Sequence, residues 1–286
     1  MRNMVIKSLM FAAMSVSLMS CGGSAGSGNS EVSAEKDTVV PSGVETRVVD
    51  NLMVSWVKDN DGNKLMPPSL FGEKAKSLID SLGLQEGIPA SVSTFLVDLD
   101  SVKILFDAGL GNPDSHLLEG LQSLGVAPDD VRYIYLTHLH GDHIGGLIND
   151  GKAVFPNADI YVSKPEYDGW MSMEADKKAQ VVAVSDAYNG RMHLFSFGET
   201  LSGGVKAMDA VGHTPGHTVY QVGKLLVVGD LMHGASLQMV NPDICASYDM
   251  DADGAVKTRR YYLKYARDND LVMAGMHFPE PAFLEF

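Results

Sequence analysis

Between positions 138 and 143 the chain reads His138-Leu139-His140-Gly141-Asp142-His143, three imidazoles and one carboxylate in six residues. His138 and His140 are two apart, a spacing that puts both side chains on one face of an extended segment. Asp142 and His143 follow a glycine, where the backbone can turn sharply, so they can address a second point in space. One short loop of this kind can serve two metal ions about 3.5–4 Å apart. Imidazole and carboxylate suit zinc, and also iron, manganese or cobalt. Structural zinc sites mostly use thiolates, and the chain has only two cysteines, Cys21 and Cys245. The pattern therefore points to catalytic ions with open coordination positions.

Three further signals lie downstream. They are Gly212-His213-Thr214-Pro215-Gly216-His217-Thr218, Gly229-Asp230 after the apolar run Leu225 to Val228, and Gly275-Met276-His277 after Leu271 to Ala274. Each places a histidine or an aspartate beside glycine at a strand end. Ligands delivered from several strand ends can build one preorganised face. The one Gly-x-Ser-x-Gly stretch, Gly22 to Gly26, lies in a Gly/Ser-rich segment with no apolar strand before it, so it offers no nucleophile elbow.

These residues need a frame. Thr46 to Lys58 reads as a strand, with Asn60-Asp61-Gly62 as a hairpin turn signal. Ser91 to Leu99 and Val102 to Phe106 read as a second hairpin around Asp100-Ser101. Val131 to Leu136 is a short continuous apolar run, as expected of a strand buried on both faces, and it leads directly into Thr137-His138. Asp159 to Ser163, Val205 to Val211, Thr218 to Val222, Leu225 to Val228 and Leu271 to Ala274 are further strands. Helices are expected over Pro113 to Leu124, Lys164 to about Val184, and Ala252 to Asn269. Runs of strands interrupted by helices in both halves predict an α+β fold of two mixed sheets packed face to face with helices outside.

With these residues in hand, the sequence resembles the metallo-β-lactamase-fold superfamily, whose pattern is HxHxDH, then H, D and H. The likeness runs over residues 45 to 286 and implies an αββα sandwich with the site at one edge of its sheets. It implies that His138, His140 and His217 hold a first divalent ion, that Asp142, His143 and His277 hold a second, and that Asp230 bridges both. Zinc is the leading candidate for both ions. The family's hydrolases hold a hydroxide between the two. Asp142 and Asp230 are thus the candidate catalytic carboxylates, Asp142 with a proton-carrying role. Asp107, in Phe106-Asp107-Ala108-Gly109, would support the metal loop without touching metal, and Thr137 would hold it by hydrogen bonds. His213 would support the site from the loop of His217, and His233 would line the pocket. Phe71 and Phe278 are either an apolar wall, with Trp170 or Met232, or core residues. His116 and His193 lie outside every motif and read as surface or packing residues.

The stretches THLHGDHIGGL, GHTPGHT, Gly229-Asp230 followed by Met232-His233, Thr258-Arg259-Arg260 and Ala274 to Pro279 together resemble the methyl parathion hydrolase and quorum-quenching lactonase branch. This implies hydrolysis of a small ester, lactone or phosphotriester. Alternatives on the same fold are a β-lactamase and a glyoxalase II-like thioesterase. More remote are a di-iron redox protein, in which a glutamate would stand at His140, and a non-catalytic metal-binding lipoprotein.

The first 20 residues carry Arg2 and Lys7 ahead of an apolar run too short to cross a bilayer comfortably. The run ends Leu18-Met19-Ser20-Cys21-Gly22, which resembles a bacterial lipobox, with Met19 where a smaller residue is usual. Residues 1–20 are expected to be a lipoprotein signal, Cys21 a lipidation site, 21–43 a Gly/Ser-rich tether and 44–286 the hydrolase domain. The resulting address is the bacterial cell envelope, membrane-tethered and facing the periplasm or cell surface. With Cys21 acylated, Cys245 has no disulfide partner and reads as a small buried hydrophobe. The net charge of −14 argues against a nucleic-acid partner. Nothing in the residues decides for or against a homodimer.

Overall fold

The computed structural model describes residues 43–99 and 102–286. The signal, the Cys21 lipidation site and nearly all of the tether lie outside these residues. Two sheets carry the architecture. The first has seven strands: β1 Val44–Val49, β2 Leu52–Lys58, β3 Ser93–Leu99, β4 Val102–Phe106, β5 Val131–Tyr135, β6 Asp159–Ser163 and β7 Met192–Phe195. They lie side by side in chain order, antiparallel up to β4 and parallel from β4 to β7. The second sheet follows: β8 Thr200–Leu201, β9 Val205–Asp209, β10 Thr218–Val222, β11 Leu225–Gly229, β12 Val272–Gly275 and β13 Phe283–Leu284. It too runs in chain order, with β11 and β12 the only parallel pair.

Strand alternation decides which face meets what. Phe95, Val97, Ile104 and Phe106 point between the sheets, where they join Val205, Tyr220, Val227 and Met273 in one core. Leu96 and Leu105 point the other way. They meet Ile134 and Val162, Leu121 of the helix Leu117–Ser123, and Val181 and Val184 of the helix Ala175–Ala187. Tyr262, Leu263 and Ala266 of the helix Ala252–Asp268 close the far side of the second sheet. The expected αββα sandwich is the fold.

Two local expectations change. The span Thr46–Lys58 is two strands, because the chain reverses at Asp50-Asn51, where Asp50 takes φ 59°. Asp tolerates that left-handed conformation better than most residues. Asn60-Asp61-Gly62 does not close a hairpin. The strand after it, Lys64–Met66, pairs with Ile88–Ala90.

Parallel neighbours end on the same side of a sheet. Asp107 after β4, Thr137-His138 after β5, Asp230 after β11 and His277 after β12 therefore emerge at one edge of the sandwich. Among the described residues no helix is long and apolar enough to cross a membrane.

Candidate metal centre

The loop after β5 descends from Thr137 through His140 into the single helical turn Gly141–Ile144. Asp107 anchors it from the next strand. Its carboxylate takes the Thr137 N–H, the Thr137 hydroxyl and His143 Nδ1–H, each at 2.7 Å. Asp230 enters from the second sheet through a turn at Gly229, which has φ 51°. A Cβ there would stand 2.6 Å from His217 Nε2 and 2.8 Å from Thr137. Only glycine fits that approach.

His138 Nε2 lies 2.9 Å from His140 Nδ1, and His213 Nε2 lies 3.0 Å from the same atom. The tautomers of the two outer rings are fixed by their other nitrogens. The Thr137 hydroxyl spends its proton on Asp107, so it must accept from His138 Nδ1 at 3.1 Å. His213 Nδ1 donates to Asp249 Oδ1 at 3.1 Å. Both Nε2 atoms therefore present lone pairs to His140 Nδ1, which can donate to only one of them. A cation at the point where the three nitrogens converge resolves the conflict. Asp230 Oδ2 completes this first group, 3.3 Å from His213 Nε2 and 3.7 Å from His138 Nε2. Burial holds His138 well below the usual imidazole range. It pushes His140 down to about 4, helped by the neighbouring His213. Neutral rings are the ligating form.

Asp142, His143 and His277 make the second group. His143 Nδ1 is committed to Asp107 and His277 Nδ1 to the Ser91 carbonyl at 2.8 Å, so both Nε2 atoms face inward. His277 Nε2 stands 3.3 Å from Asp142 Oδ2 and 3.2 Å from Asp230 Oδ2. Burial disfavours a charged His277, but Asp230 and Asp142 outweigh it and raise its pKa to about 10. Burial likewise opposes ionisation of Asp230, yet His277, His143 and His138 hold it well below the carboxylate range. His143 Nε2 and Asp230 Oδ1 are 3.1 Å apart without hydrogen-bond geometry, and both are among the buried atoms left unpartnered. Two ligand atoms aimed past each other mark a place for a cation. The donor set, all imidazole and carboxylate, fits divalent ions.

The structure thus brings His138, His140, Asp142, His143, Asp230 and His277 together. It corrects one expected ligand. His217 is tied off on both sides, with Nε2 accepting the Asp230 N–H at 3.0 Å and Nδ1 bonded to the Ala210 carbonyl at 3.1 Å. His213, expected only in support, occupies the first group instead. Phe71 and Phe278 are not pocket walls. Phe71 packs with Leu70, Ile88 and Leu237 in a small separate core, and Phe278 is fully buried against Gly275. Met232 is core, and Trp170 sits against His140 with ring centroids 5.4 Å apart. His233 does line the pocket, with Nε2 3.1 Å from Asp230 Oδ2 and Nδ1 unpartnered. His116 and His193 are surface residues, paired with Glu119 and Asp159. Cys245 is half-buried rather than buried.

No signal in the sequence marks Asp249, and Arg259 stands out only within the stretch Thr258-Arg259-Arg260, with no role attached. The buried Arg259 guanidinium donates to Asp249 Oδ2 at 3.2 Å while its other N–H groups hold the Leu231, Pro242 and Ile244 carbonyls. Asp249 so held orients His213. A pocket of about 370 Å³ opens over both groups, rimmed by Lys64, Met66 and Tyr248.

The profile of the Metallo-beta-lactamase superfamily matches residues 87–277. The chain is 34% identical over 149 residues to Metallo-beta-lactamase domain-containing protein 1 of Xenopus laevis, a match covering 48% of this chain and 54% of that protein. The chain spans about half the length of the curated relatives it matches. Among solved structures, the hydrolase AbOPH, of the beta lactamase superfamily, superposes with a TM-score of 0.76 at 27% identity, covering 85% of this chain and 92% of that one. AidC, a dizinc quorum-quenching lactonase solved with N-hexanoyl-L-homoserine, superposes at 0.74 with 27% identity, covering 84% and 92%.

Proposed function

The chain belongs to the metallo-beta-lactamase superfamily, and from that membership we propose that it is a dinuclear-metal hydrolase of small lactones, esters or phosphotriesters. The observation that carries this reading is the position of Asp230. Its Oδ1 lies 3.1 Å from His143 Nε2, and its Oδ2 lies 3.3 Å from His213 Nε2 and 3.2 Å from His277 Nε2, so a single carboxylate stands between the two groups and is placed to serve two ions. His138, His140 and His213 would hold one, Asp142, His143 and His277 the other. Two divalent ions there would lower the pKa of a shared water and polarise the substrate's carbonyl or phosphoryl oxygen. The likeness to a dizinc lactonase supports zinc and a lactone-type substrate.

The chain's own residues do the rest. Asp107 and Asp249 each fix the Nδ1–H tautomer of a ligand ring, which leaves its Nε2 free to bind. Asp142 has its side chain 31% exposed against 3% for Asp230, so it is the carboxylate open to a leaving group. Burial opposes its ionisation, but His143 and His277 hold it well below the carboxylate range, so it would take up a proton from water before passing one on. His233 lines the pocket with its Nε2 3.1 Å from Asp230 Oδ2.

The test is a hydrolysis panel on metal-replete protein: homoserine lactones of several acyl lengths, paraoxon, aryl esters, nitrocefin and a glutathione thioester. Turnover of the first three classes, lost in His140→Ala, supports the reading. Turnover of nitrocefin or the thioester alone overturns it. We further propose that Cys21 carries the lipid that tethers the enzyme to a cell-envelope membrane.

A further inference from the structure

Glu166 is fully buried and touches none of the candidate ligands, yet its carboxylate collects four donors. Oε1 accepts the Leu139 N–H at 3.0 Å and Trp170 Nε1–H at 2.7 Å. Oε2 accepts the Thr214 hydroxyl at 2.7 Å and the Gly216 N–H at 2.8 Å. Leu139 sits between His138 and His140, and Thr214 follows His213. The two loops that supply the first group of histidines are therefore joined through one side chain. Trp170, bonded to the same Oε1, packs its ring against His140.

The approach is tight. A Cβ on Gly216 would lie 2.1 Å from the Glu166 N, so the loop rests directly on the start of the helix Lys164–Met171. Ser163, which caps that helix by accepting the Glu166 N–H, donates its own hydroxyl to the Gly216 carbonyl at 2.7 Å. Among the described residues the second group has no hydrogen bond to Glu166. Its supports are Asp107, which holds His143 directly and reaches His138 only through the Thr137 hydroxyl, and the Ser91 carbonyl, which holds His277.

We propose that Glu166 is the positioning residue for the first ion: by clamping the Leu139 and Thr214–Gly216 backbones it fixes the distance between His140 and His213. It thereby sets the affinity of the His138–His140–His213 group and leaves the Asp142–His143–His277 group, which rests on Asp107 and the Ser91 carbonyl, unaffected. This rests on reading the centre as dinuclear. The carboxylate is required because both oxygens accept twice. Glutamine keeps one accepting oxygen and turns an amide nitrogen, a donor, toward the other pair. Alanine loses all four contacts.

Cobalt(II) titration of metal-stripped protein, followed by visible absorption and chelator competition, tests this. Wild type should take two equivalents. Glu166→Ala should weaken one of them by about 10–100-fold, the range for residues that orient a ligand, with altered d–d bands for that ion only, and Glu166→Gln should fall between. In a His213→Ala background, adding Glu166→Ala should change little, whereas in a His277→Ala background it should cost its full factor. Should Glu166→Ala fail to fold by circular dichroism, Glu166→Gln carries the comparison. Two ions bound at wild-type affinity and spectrum in the variant overturn the inference alone, as does equal weakening of both. A wild type that takes fewer than two ions overturns the dinuclear reading, and this inference with it.

Discussion

His140 Nδ1 and His213 Nε2 stand 3.0 Å apart, although 73 positions separate them in the chain. His217, four residues beyond His213, points into the protein and receives the Asp230 N–H. The two histidines of one loop thus have different tasks, and that difference can be measured.

His213→Ala should remove one ion and lower activity by at least about 100-fold, more than loss of a residue that only orients a ligand. His217→Ala should keep both ions near wild-type affinity while losing about 2–4 kcal/mol of stability, from the cavity and the unpaired Asp230 N–H. Metal analysis beside thermal unfolding separates the two. The reverse outcome, with the ion lost only in His217→Ala, would return the ligand role to His217.

The loop's sequence alone offers no way to choose between them. His213 precedes the turn Thr214–Gly216 and His217 follows it, entering β10, and which ring faces the site is decided by contacts distant in sequence: Glu166 and Ser163 on the turn, Asp249 on His213, and the Ala210 carbonyl and Asp230 N–H on His217. The strand ends were legible because apolar runs stop abruptly at Asp107, Thr137, Asp230 and Gly275. The supports were not. Asp249 lies 36 positions from His213, and Glu166 lies 27 from Leu139 and 50 from Gly216, so no local spacing betrays them. The turn at Asp50-Asn51 is a two-residue polar break between Val48-Val49 and Leu52-Met53, short enough to read as part of one strand.

Asp249→Ala should lower activity and affinity for the first ion by about 10–100-fold, since it frees the His213 ring to turn. Because it also strands the buried Arg259 guanidinium, Asp249→Ala should lose stability as well. Arg259→Ala removes one half of a fully buried ion pair and several carbonyl contacts, and should cost about 3–5 kcal/mol of stability. Denaturant titration of both variants, with metal content, distinguishes orientation from architecture. Equal losses of stability with unchanged metal affinity would show that Asp249 only packs.

Cys21→Ser in the full-length chain should move the protein from the membrane fraction to the soluble fraction of cells, with its activity per molecule unchanged. Detergent phase partitioning reads this directly. Wild-type protein recovered wholly in the aqueous phase would contradict the anchor.

Ion uptake should expel protons. His277 is raised to about 10 by Asp230 and Asp142, against the effect of burial, and His143 is raised by Asp230, Asp107 and Asp142. Burial opposes the charged form of both rings, but these carboxylates outweigh it and favour the imidazolium, whose Nε2–H must be released before Nε2 can ligate. Titrating zinc into stripped protein in weak buffer with a pH indicator should therefore release protons at pH 7 and progressively fewer as pH approaches 10, and apparent affinity should climb over the same range. The stability of the stripped protein should run the other way. A histidine whose folded pKa is raised contributes fully below its unfolded value near 6.5, and that contribution fades as pH rises through about 10. The melting temperature of stripped protein should fall along that limb, while the loaded protein, its protons already displaced, should not share the decline. A zinc affinity that stays flat from pH 6 to 9 would mean these two rings do not take part in binding.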